Sequence, residues 1–179
     1  MSTCNRCRNT EAEATVVLGA GNRPMRLATN VDMRPGPGIN TVYDLRNTPW
    51  PLDTGRYQRV IAEHILEHMP DPTPFLDEVY RITKPHARVE IEVPHWKHHL
   101  AHARIDHRTT WAHNSFDGCY NTAGKFTKDR VAFRLSGGKW LDRPQWLGRQ
   151  LCKKTGLVSG LRFYLRRLGS KRCAQEVLI

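Results

Sequence analysis

Short apolar runs that stop at glycine, proline or acidic residues divide the first half of the chain into strands and helices. Residues 74–83 are the clearest predicted helix, because proline lies in the first turn and apolar side chains recur at helical spacing. These apolar residues are Phe75, Leu76, Val79 and Ile82. The predicted strands are residues 16–18, 27–31, 39–44, 57–62 and 88–93. The alternation predicts an α/β domain with a mostly parallel sheet.

Two strand ends in this pattern carry residues suited to binding a ligand. Gly19, Ala20 and Gly21 follow the first predicted strand, and Asp32 follows the second. The carboxyl ends of parallel strands open on one edge of a sheet. There, glycines let the backbone approach a ligand, and a carboxylate can accept hydrogen bonds from both hydroxyls of a ribose. The residues favour a site for a nucleoside-containing cofactor, and an ordinary glycine turn is the alternative.

The spacing of these residues argues against a dinucleotide. A dinucleotide fingerprint has a third glycine and an acidic residue about 20 residues further on, whereas Asp32 follows Gly21 closely and no third glycine is present. Parallel strands usually need a crossover of about a dozen residues or more, but residues 22–26 supply little beyond one helical turn. A nicotinamide-dependent enzyme is therefore disfavoured, and the first connection is predicted to be unusually short.

The second half of the chain is predicted to add a helix and two strands. Residues 143–154 have the spacing of an amphipathic helix that packs on the sheet. In residues 161–173, Phe163 and Leu165 lie two positions apart, which predicts a strand with these two side chains inward and its arginines facing water. The alternative is that the aromatic and basic residues contact phosphates and stack on bases. Residues 174–179 are predicted as the last strand, paired antiparallel at the end of the sheet.

Charge is distributed unevenly along the 179 residues, which carry a formal net charge of +11. Residues 1–80 contain 8 basic and 10 acidic side chains, whereas residues 81–179 contain 20 and 7. This asymmetry favours an anionic partner for the second half, with nucleic acid first and an anionic glycan or lipid surface next. A solvated basic face that only aids solubility is the alternative.

The cysteines and the hydropathy favour a protein of the cytoplasm. The five cysteines lack the spacing of a disulfide framework. Cys4 and Cys7 form one CxxC motif, but a zinc site needs about four ligands and no second CxxC motif is present. No stretch resembles a signal peptide or approaches the roughly 18 apolar residues of a membrane span. We predict a cytoplasmic chain with a flexible tail at residues 1–13 and a single domain at residues 14–179.

Several motifs together resemble one family. They are LGAGNRP, NVD, YDL, PWPLDTGRYQRVIAEHILEHMPDPTPFLDEVYRITKP and RVEIEVPHW, within residues 15–96. With them the chain is similar to class I S-adenosylmethionine-dependent methyltransferases of the methyltransferase type 11 group, in particular to a compact branch whose first helix is reduced to a loop. The resemblance implies a Rossmann-like, mostly parallel sheet with a late antiparallel strand, S-adenosylmethionine as the cofactor, and methyl transfer as the reaction.

The same resemblance implies which residues hold the cofactor. Those close to its methionine part would be Gly19, Ala20 and Gly21. Those at its ribose and adenine would be Asp32, Met33, Asp44 and Leu45. Those at the strand end that closes over it would be Ala62, Glu63 and His64. Two departures, KPHAR in place of KPGG and an alanine between the glycines, affect the expected loop shape more than the binding of a cofactor.

Residues 94–143 are predicted to form a basic, histidine-rich insertion that covers the pocket of the methyl acceptor. Histidines four residues apart share a face on a helix and can offer ligands to a metal ion. The residues in question are the pairs His95 with His99 and His98 with His102, with Asp106 and His107 nearby. A flexible cap, or a substrate surface that gains charge as the pH falls, is the favoured interpretation, and no metal is predicted.

His95 and His107 are the candidate catalytic residues. His95 directly follows a predicted strand end, where α/β sheets bind ligands, and His107 matches a histidine-containing segment of the family. A neutral imidazole can take the proton of a hydroxyl or amine as the methyl group arrives. Because the sulfonium is already a good leaving group, the protein mainly has to align the acceptor, and a general base is not essential.

The sequence thus predicts a methyltransferase that uses S-adenosylmethionine on an unidentified acceptor, with nucleic acid or another anionic molecule as candidates. The alternative is a non-catalytic module that keeps the sheet and binds nucleic acid through its basic half. The sequence pattern does not indicate the oligomeric state.

Overall fold

An eight-stranded mixed sheet forms the centre of the molecule. The structure is a computed structural model that describes residues 14–117, 124–142, 145–153 and 157–169. The strands are β1 (Thr15–Leu18), β2 (Thr29–Asp32), β3 (Thr41–Val42), β4 (Tyr57–Glu63), β5 (Thr83–Pro94), β6 (Phe126–Leu135), β7 (Trp140–Leu141) and β8 (Val158–Arg167). Their order across the sheet is β3-β2-β1-β4-β5-β8-β6-β7.

Strand direction changes after β5. Strands β1 to β5 run parallel to one another, whereas β8 pairs antiparallel with β5 and β6, and β7 pairs antiparallel with β6. The predicted α/β fold with a mostly parallel sheet and a late antiparallel strand is confirmed. The antiparallel strands of the described part are β8, β6 and β7, and on β8 Phe163 and Leu165 are buried as expected. The predicted strand at residues 174–179 and the predicted tail at residues 1–13 lie outside the described residues.

The chain passes from β1 to β2 without a helix. Residues 19–28 form turns, and the amides of Gly19 and Ala20 both donate to the carbonyl oxygen of Val31, at N–O distances of 2.9 and 3.0 Å. The turn is therefore attached directly to the end of β2. The predicted short connection is confirmed, and it leaves Gly19 and Asp32 at the same edge of the sheet.

Helix α1 (Pro72–Ile82) connects β4 to β5 and begins slightly before its predicted start. The carboxylate of Asp71 caps the helix by accepting a hydrogen bond from the amide of Thr73 at 2.8 Å. The buried residues of the helix include the predicted apolar set, Phe75, Leu76, Val79 and Ile82. No described helix is long and apolar enough to cross a membrane.

A buried ion pair on α1 holds the loop that follows β3. Glu78 pairs with Arg81 at 2.7 Å and accepts the amide of Trp50 at 2.6 Å, while Arg81 donates to the carbonyl oxygens of Trp50 and Leu52 at 3.0 and 2.8 Å. Burial acts to raise the pKa of Glu78, but the hydrogen bonds from Arg81 and from the Trp50 amide hold it below its usual value. The helix thereby fixes the loop of residues 45–52.

The two faces of the sheet differ in chemistry. The first face is the main core, and both α1 and helix α2 (Gln145–Leu151) belong to that side, α2 through the contact of Gly148 with Phe133. The second face bears a small apolar cluster around Val17 and then a set of charged side chains on β4, β5, β8 and β6. We call this set the ionic face; it consists of Arg59, Glu63, Glu90, Glu92, Arg134 and Arg162.

Ion pairs connect the strands across the ionic face. Arg59 bonds Glu90 at 2.8 Å, and Arg162 bonds both Glu92 at 2.5 Å and Glu63 at 3.0 Å. Glu92 is only 4% exposed. The expectation that the arginines of β8 face water is therefore wrong for Arg162, since its guanidinium group compensates the charge of a buried carboxylate on the neighbouring strand.

Several predicted boundaries differ from the structure, three of them in the part of the chain that follows α1. Strand β5 begins at Thr83 rather than at residue 88, because a register shift lets Tyr57 pair with Thr83 ahead of the regular ladder. Helix α2 is shorter than the predicted helix at residues 143–154, part of which lies outside the described residues. Within residues 94–143, only the part before residue 118 is described as loop and short turns, and the later part supplies β6 and β7 to the sheet.

Replacing Arg81 by alanine is expected to lower the free energy of unfolding by about 3 kcal/mol, because the buried carboxylate of Glu78 loses its cationic partner. Arg56→Ala is the matched control. Arg56 pairs with Asp53 in solvent, with side chains that are 54% and 73% exposed, and such a pair contributes about 0 to 1 kcal/mol. Urea unfolding of both variants measures the difference. Equal losses would show that the Arg81 pair acts as a surface pair.

Candidate functional site

A cavity of about 760 Å³ lies at the carboxyl ends of β1, β2 and β4. This is the edge of an open α/β sheet at which ligands bind, and the volume is in the range of small-molecule sites. Seven of the ten residues predicted to hold a cofactor line the cavity: Gly19, Gly21, Asp32, Met33, Asp44, Leu45 and His64. The structure therefore brings residues from four separate stretches of the chain to one wall.

The two glycines supply a backbone shape that other residues rarely adopt. Gly19 has φ +71° and Gly21 has φ +49°, both in the left-handed region. A Cβ added at Gly19 would also lie 3.2 Å from the Cδ1 atom of Ile65, a contact that requires the neighbour to move. At this turn the main chain itself therefore forms the cavity wall.

Asp32 is held in place by main-chain amides. Its Oδ2 accepts from Gly21 at 2.7 Å and its Oδ1 accepts from Arg34 at 2.9 Å. A carboxylate has about four acceptor positions, so two remain for a ligand. The carboxylate is thus oriented by the turn after β1 before any ligand arrives.

Asp44 differs from Asp32 because a side chain already engages it. The guanidinium group of Arg46 contacts both carboxylate oxygens at distances between 2.7 and 3.1 Å, and this hydrogen bonding holds the pKa of Asp44 below its usual value. Leu45 beside it is only 4% exposed. This part of the wall therefore combines a neutralised carboxylate with an apolar surface.

Three of the predicted cofactor residues do not line the cavity. Ala20 and Ala62 are buried, with 5% and 0% exposure, and the carboxylate of Glu63 bonds Arg162 at 3.0 Å on the ionic face. Side chains alternate between the two faces of a strand, and Glu63 lies on the face away from the main core. The predicted roles of these three residues are not supported by side-chain contacts with the cavity.

His64 ends β4 in a strained conformation between two acidic residues. Its φ is +54°, uncommon for a residue with a side chain. Its Nδ1 lies 3.2 Å from Glu67 and its Nε2 lies 3.3 Å from Glu92, and these hydrogen bonds raise the pKa of His64 to about 9. At neutral pH the ring is therefore an imidazolium, and it adds positive charge to the cavity wall.

A loop from the histidine-rich segment forms the opposite wall. The amides of Arg108 and Thr109 donate to the carbonyl oxygen of Glu67 at 2.7 and 3.1 Å, which fastens the loop to the 3₁₀ helix Leu66–His68. Arg104, Asp106 and Arg108 line the cavity, as do His68 and Met69. The sequence patterns did not single out Arg104, Arg108, His68 or Met69 as site residues. A contact between distant segments places Arg104 and Arg108 there, whereas His68 and Met69 belong to the 3₁₀ turn that follows β4.

Comparison with solved structures finds proteins of the same architecture. A methyltransferase from Methanosarcina mazei described as SAM-dependent has a TM-score of 0.57 and 14% identity, over 94% of this chain and 99% of that one. Geranyl diphosphate C-methyltransferase from Streptomyces coelicolor, solved with Mg²⁺, geranyl diphosphate and S-adenosyl-L-homocysteine, has a TM-score of 0.60 and 12% identity, over 86% and 71%.

The chain has the class I methyltransferase fold. A third structure, an S-adenosylmethionine-dependent methyltransferase from Mesorhizobium loti, agrees, with a TM-score of 0.57 and 14% identity over 86% of this chain and 90% of that one. No family model matches the sequence, and no curated protein matches it. The Rossmann-like architecture implied by the sequence motifs is confirmed.

In this methyltransferase fold the two candidate catalytic histidines have different surroundings. His95 is 1% exposed, is not among the residues that line the cavity, and within the described part of the chain has no hydrogen-bond partner at Nε2. The ring of His107 packs edge-on against His68, which does line the cavity, at a centroid distance of 4.9 Å. A catalytic role for either residue stays a prediction, and the geometry favours His107.

The histidine pairs four residues apart do not share a helix face. The segment forms only the short 3₁₀ helix His99–Ala101, with turns on either side. Within the described residues, the set of His95, His98, His99 and His102 does not form a group of potential metal ligands. The spacing argument fails here because it assumes an α-helix.

Much of the positive charge of the second half is paired within the described part of the molecule. Acidic partners occur for Lys125, Lys128, Arg130, Arg134, Arg162 and Arg166. The guanidinium group of Arg167 stacks on Tyr80 at 4.1 Å from the ring centroid. Lys171 and Arg172, which belong to the aromatic and basic stretch of residues 161–173, lie outside the described residues. The paired basic side chains are therefore already engaged by acidic partners, whereas a nucleic acid would need them for its phosphates. Binding of nucleic acid stays a prediction.

The burial of His95 predicts a loss of stability in mild acid. Burial, followed by the nearby positive charge of His113, Lys97 and His98, lowers the pKa of His95 from 6.5 to about 4. Below pH 6.5 the unfolded chain takes up a proton that the folded chain does not. This part of the stability is therefore complete above pH 6.5 and falls as the pH drops toward 4, by on the order of 3 kcal/mol.

His95→Gln removes the titrating group and is the variant that tests this. Urea unfolding of the parent and of the variant is measured at several pH values between 7 and 4. As the pH falls, the free energy of unfolding of the parent should decrease more than that of the variant. Parallel losses in the two proteins would mean that His95 is not held neutral in the folded state.

Proposed function

We propose that the protein transfers a methyl group from S-adenosylmethionine to an acceptor molecule. The observation that carries this is the position of Gly19, Gly21 and Asp32 together on one wall of the cavity, at the carboxyl edge of a sheet with the class I methyltransferase fold. A pre-oriented carboxylate beside an open glycine turn suits a nucleoside with an attached amino-acid chain.

The residues of the cavity fit such a cofactor. The main chain at Gly19 and Gly21 would contact the methionine part, and the free acceptor positions of Asp32 would receive the two ribose hydroxyls. Met33 and Leu45 provide apolar surface for the adenine. When bound, the cofactor supplies a methyl group that is already activated on a sulfonium.

The acceptor is proposed to enter beside the loop of residues 104–109. Arg104, Arg108 and Asp106 of this loop line the cavity, and because Arg104 is paired with Asp106, Arg108 leaves a net positive charge on the loop. The imidazolium of His64 adds positive charge to the lining at the end of β4. An anionic or electron-rich acceptor would be drawn to such a wall.

Alignment of the acceptor is proposed as the main contribution of the protein. The loop of residues 104–109 is fixed to Glu67 by two main-chain hydrogen bonds and can hold an acceptor in line with the methyl group. His107 is the candidate to receive a proton, since its ring packs on His68 at the rim of the cavity.

A cytoplasmic location is part of the proposal as well.

Calorimetric titration with S-adenosylhomocysteine tests the proposed function directly. We expect one equivalent to bind per chain, because the product retains the ribose, the adenine and the amino-acid part of the cofactor. If no heat of binding is seen for a folded sample, the protein is not a methyltransferase of this kind, and the alternative of a non-catalytic module gains support.

Asp32→Ala is expected to weaken the binding of S-adenosylhomocysteine by about 1 to 3 kcal/mol, through loss of charge-assisted hydrogen bonds to the ribose. Asp53→Ala is the control, because Asp53 is an exposed carboxylate, 73% accessible, that pairs with Arg56 outside the cavity. Calorimetry on both variants gives the comparison. Unchanged affinity in a folded Asp32→Ala variant would make Asp32 an ordinary turn residue.

A further inference from the structure

Next to the cavity, one oxygen of a buried glutamate lacks a hydrogen-bond partner among the described residues. Glu67 is 1% exposed; its Oε1 bonds His64, whereas its Oε2 has no partner in the part of the chain that the structure describes. A buried carboxylate oxygen without a partner is costly, and such an atom in a native structure calls for an explanation. His64 contacts only one oxygen of this carboxylate, so the other oxygen is available to a ligand.

Two histidines converge on the same carboxylate. One ligand atom each from Glu67, His68 and His107 lie within 4.8 Å of one another. The three come from two segments that meet through main-chain hydrogen bonds, since Arg108 and Thr109 donate to the carbonyl oxygen of Glu67. The hydroxyl of Thr109 adds a bond to the carbonyl oxygen of Leu66 at 3.2 Å. The group is therefore assembled by the fold itself.

Both histidines have the tautomer that metal binding requires. The Nδ1 of His68 lies 3.2 Å from the carbonyl oxygen of Asp106, and the Nδ1 of His107 lies 3.2 Å from that of Ala101. A carbonyl oxygen only accepts, so in each neutral ring Nδ1 carries the hydrogen and Nε2 keeps its lone pair. A ring nitrogen that donates to a main-chain carbonyl while the other faces the metal is the usual arrangement of histidine ligands.

We propose that Glu67, His68 and His107 bind a divalent transition-metal ion such as Zn²⁺. Two imidazoles and one carboxylate suit first-row transition ions, whereas Mg²⁺ and Ca²⁺ prefer oxygen ligands throughout. Three protein ligands leave a coordination position open. That position lies near the cavity, because His68 belongs to both the ligand set and the cavity wall. The proposal does not depend on methyl transfer, and a metal ion bound to His107 would replace the role of this residue as a proton acceptor.

The charges around the group set limits on the ion that it can hold. Asp106 lies 3.5 Å from Nδ1 of His68 and is itself paired with Arg104, while the ring of His64 contacts the other oxygen of Glu67. Among the three proposed ligands, Glu67 is the single carboxylate. A borderline ion that binds neutral imidazole strongly is favoured over one that depends on anionic ligands.

The test is a calorimetric titration of the metal-stripped full chain with Zn²⁺, in the absence of S-adenosylmethionine. A Cys4→Ser, Cys7→Ser variant serves as the parent, so that the CxxC motif cannot contribute. We expect one equivalent of Zn²⁺ to bind to this parent, and affinity to fall at least about tenfold in each of Glu67→Gln, His68→Ala and His107→Ala. His99→Ala is the matched control within the same histidine-rich segment and should bind as the parent does.

Thermal melts of each variant accompany the titration. Zn²⁺ should raise the Tm of the parent and of His99→Ala but not of the three ligand variants, because an ion stabilises only the fold that binds it. If Glu67→Gln does not fold, the two histidine variants decide the question.

Two results would overturn the proposed metal site. One is a parent that binds no Zn²⁺, and the other is Zn²⁺ affinity that survives unchanged in both His68→Ala and His107→Ala. Because the measurement contains no cofactor, its failure is separate from failure of the titration with S-adenosylhomocysteine.

Discussion

Glu67 joins the sheet to the loop that completes the cavity. Its carbonyl oxygen receives the amides of Arg108 and Thr109, and its carboxylate receives the ring of His64 at the end of β4. A carboxylate that is 1% exposed must be compensated by charge or by hydrogen bonds. The compensation comes from His64, three residues earlier in the chain. Glu67 therefore holds the end of β4 and the loop at residues 108–109 to the same 3₁₀ turn.

The parts of the fold that follow from local patterns were predictable from the sequence. The turn between β1 and β2 and the helix α1 depend on neighbouring residues, such as the glycines at 19 and 21 and the cap at Asp71, and these signals are visible in the chain. The start of β5 was not predictable, because Thr83 joins the sheet only through its register with Tyr57. The sequence pattern predicts that residues 126–135 belong to a covering insertion. Their actual position beside β8 depends on a pairing between strands that are far apart in the chain.

The candidate site likewise contains residues whose position follows from local sequence patterns and residues whose position depends on long-range contacts. Gly19, Gly21 and Asp32 follow strand ends directly, so their common position on the cavity wall can be inferred from the direction of parallel strands. His95 also follows a strand end, yet it is 1% exposed, and its main chain forms a bridge with Trp111. Arg104 lines the cavity because its loop is fastened to Glu67. Spacing along the chain carries no information about such a contact.

The ionic face allows this sheet to keep one side without a helix among the described residues. A parallel sheet covered on both faces has strands that are apolar throughout, whereas here β5 and β8 alternate between apolar and charged side chains. The ionic face contains three arginines and three glutamates, so its charges cancel locally and it neither attracts polyanions nor presents an apolar surface to another copy of the chain. The polar surface of this side is thus supplied by the strands themselves, and among the described residues it needs no helix to cover it.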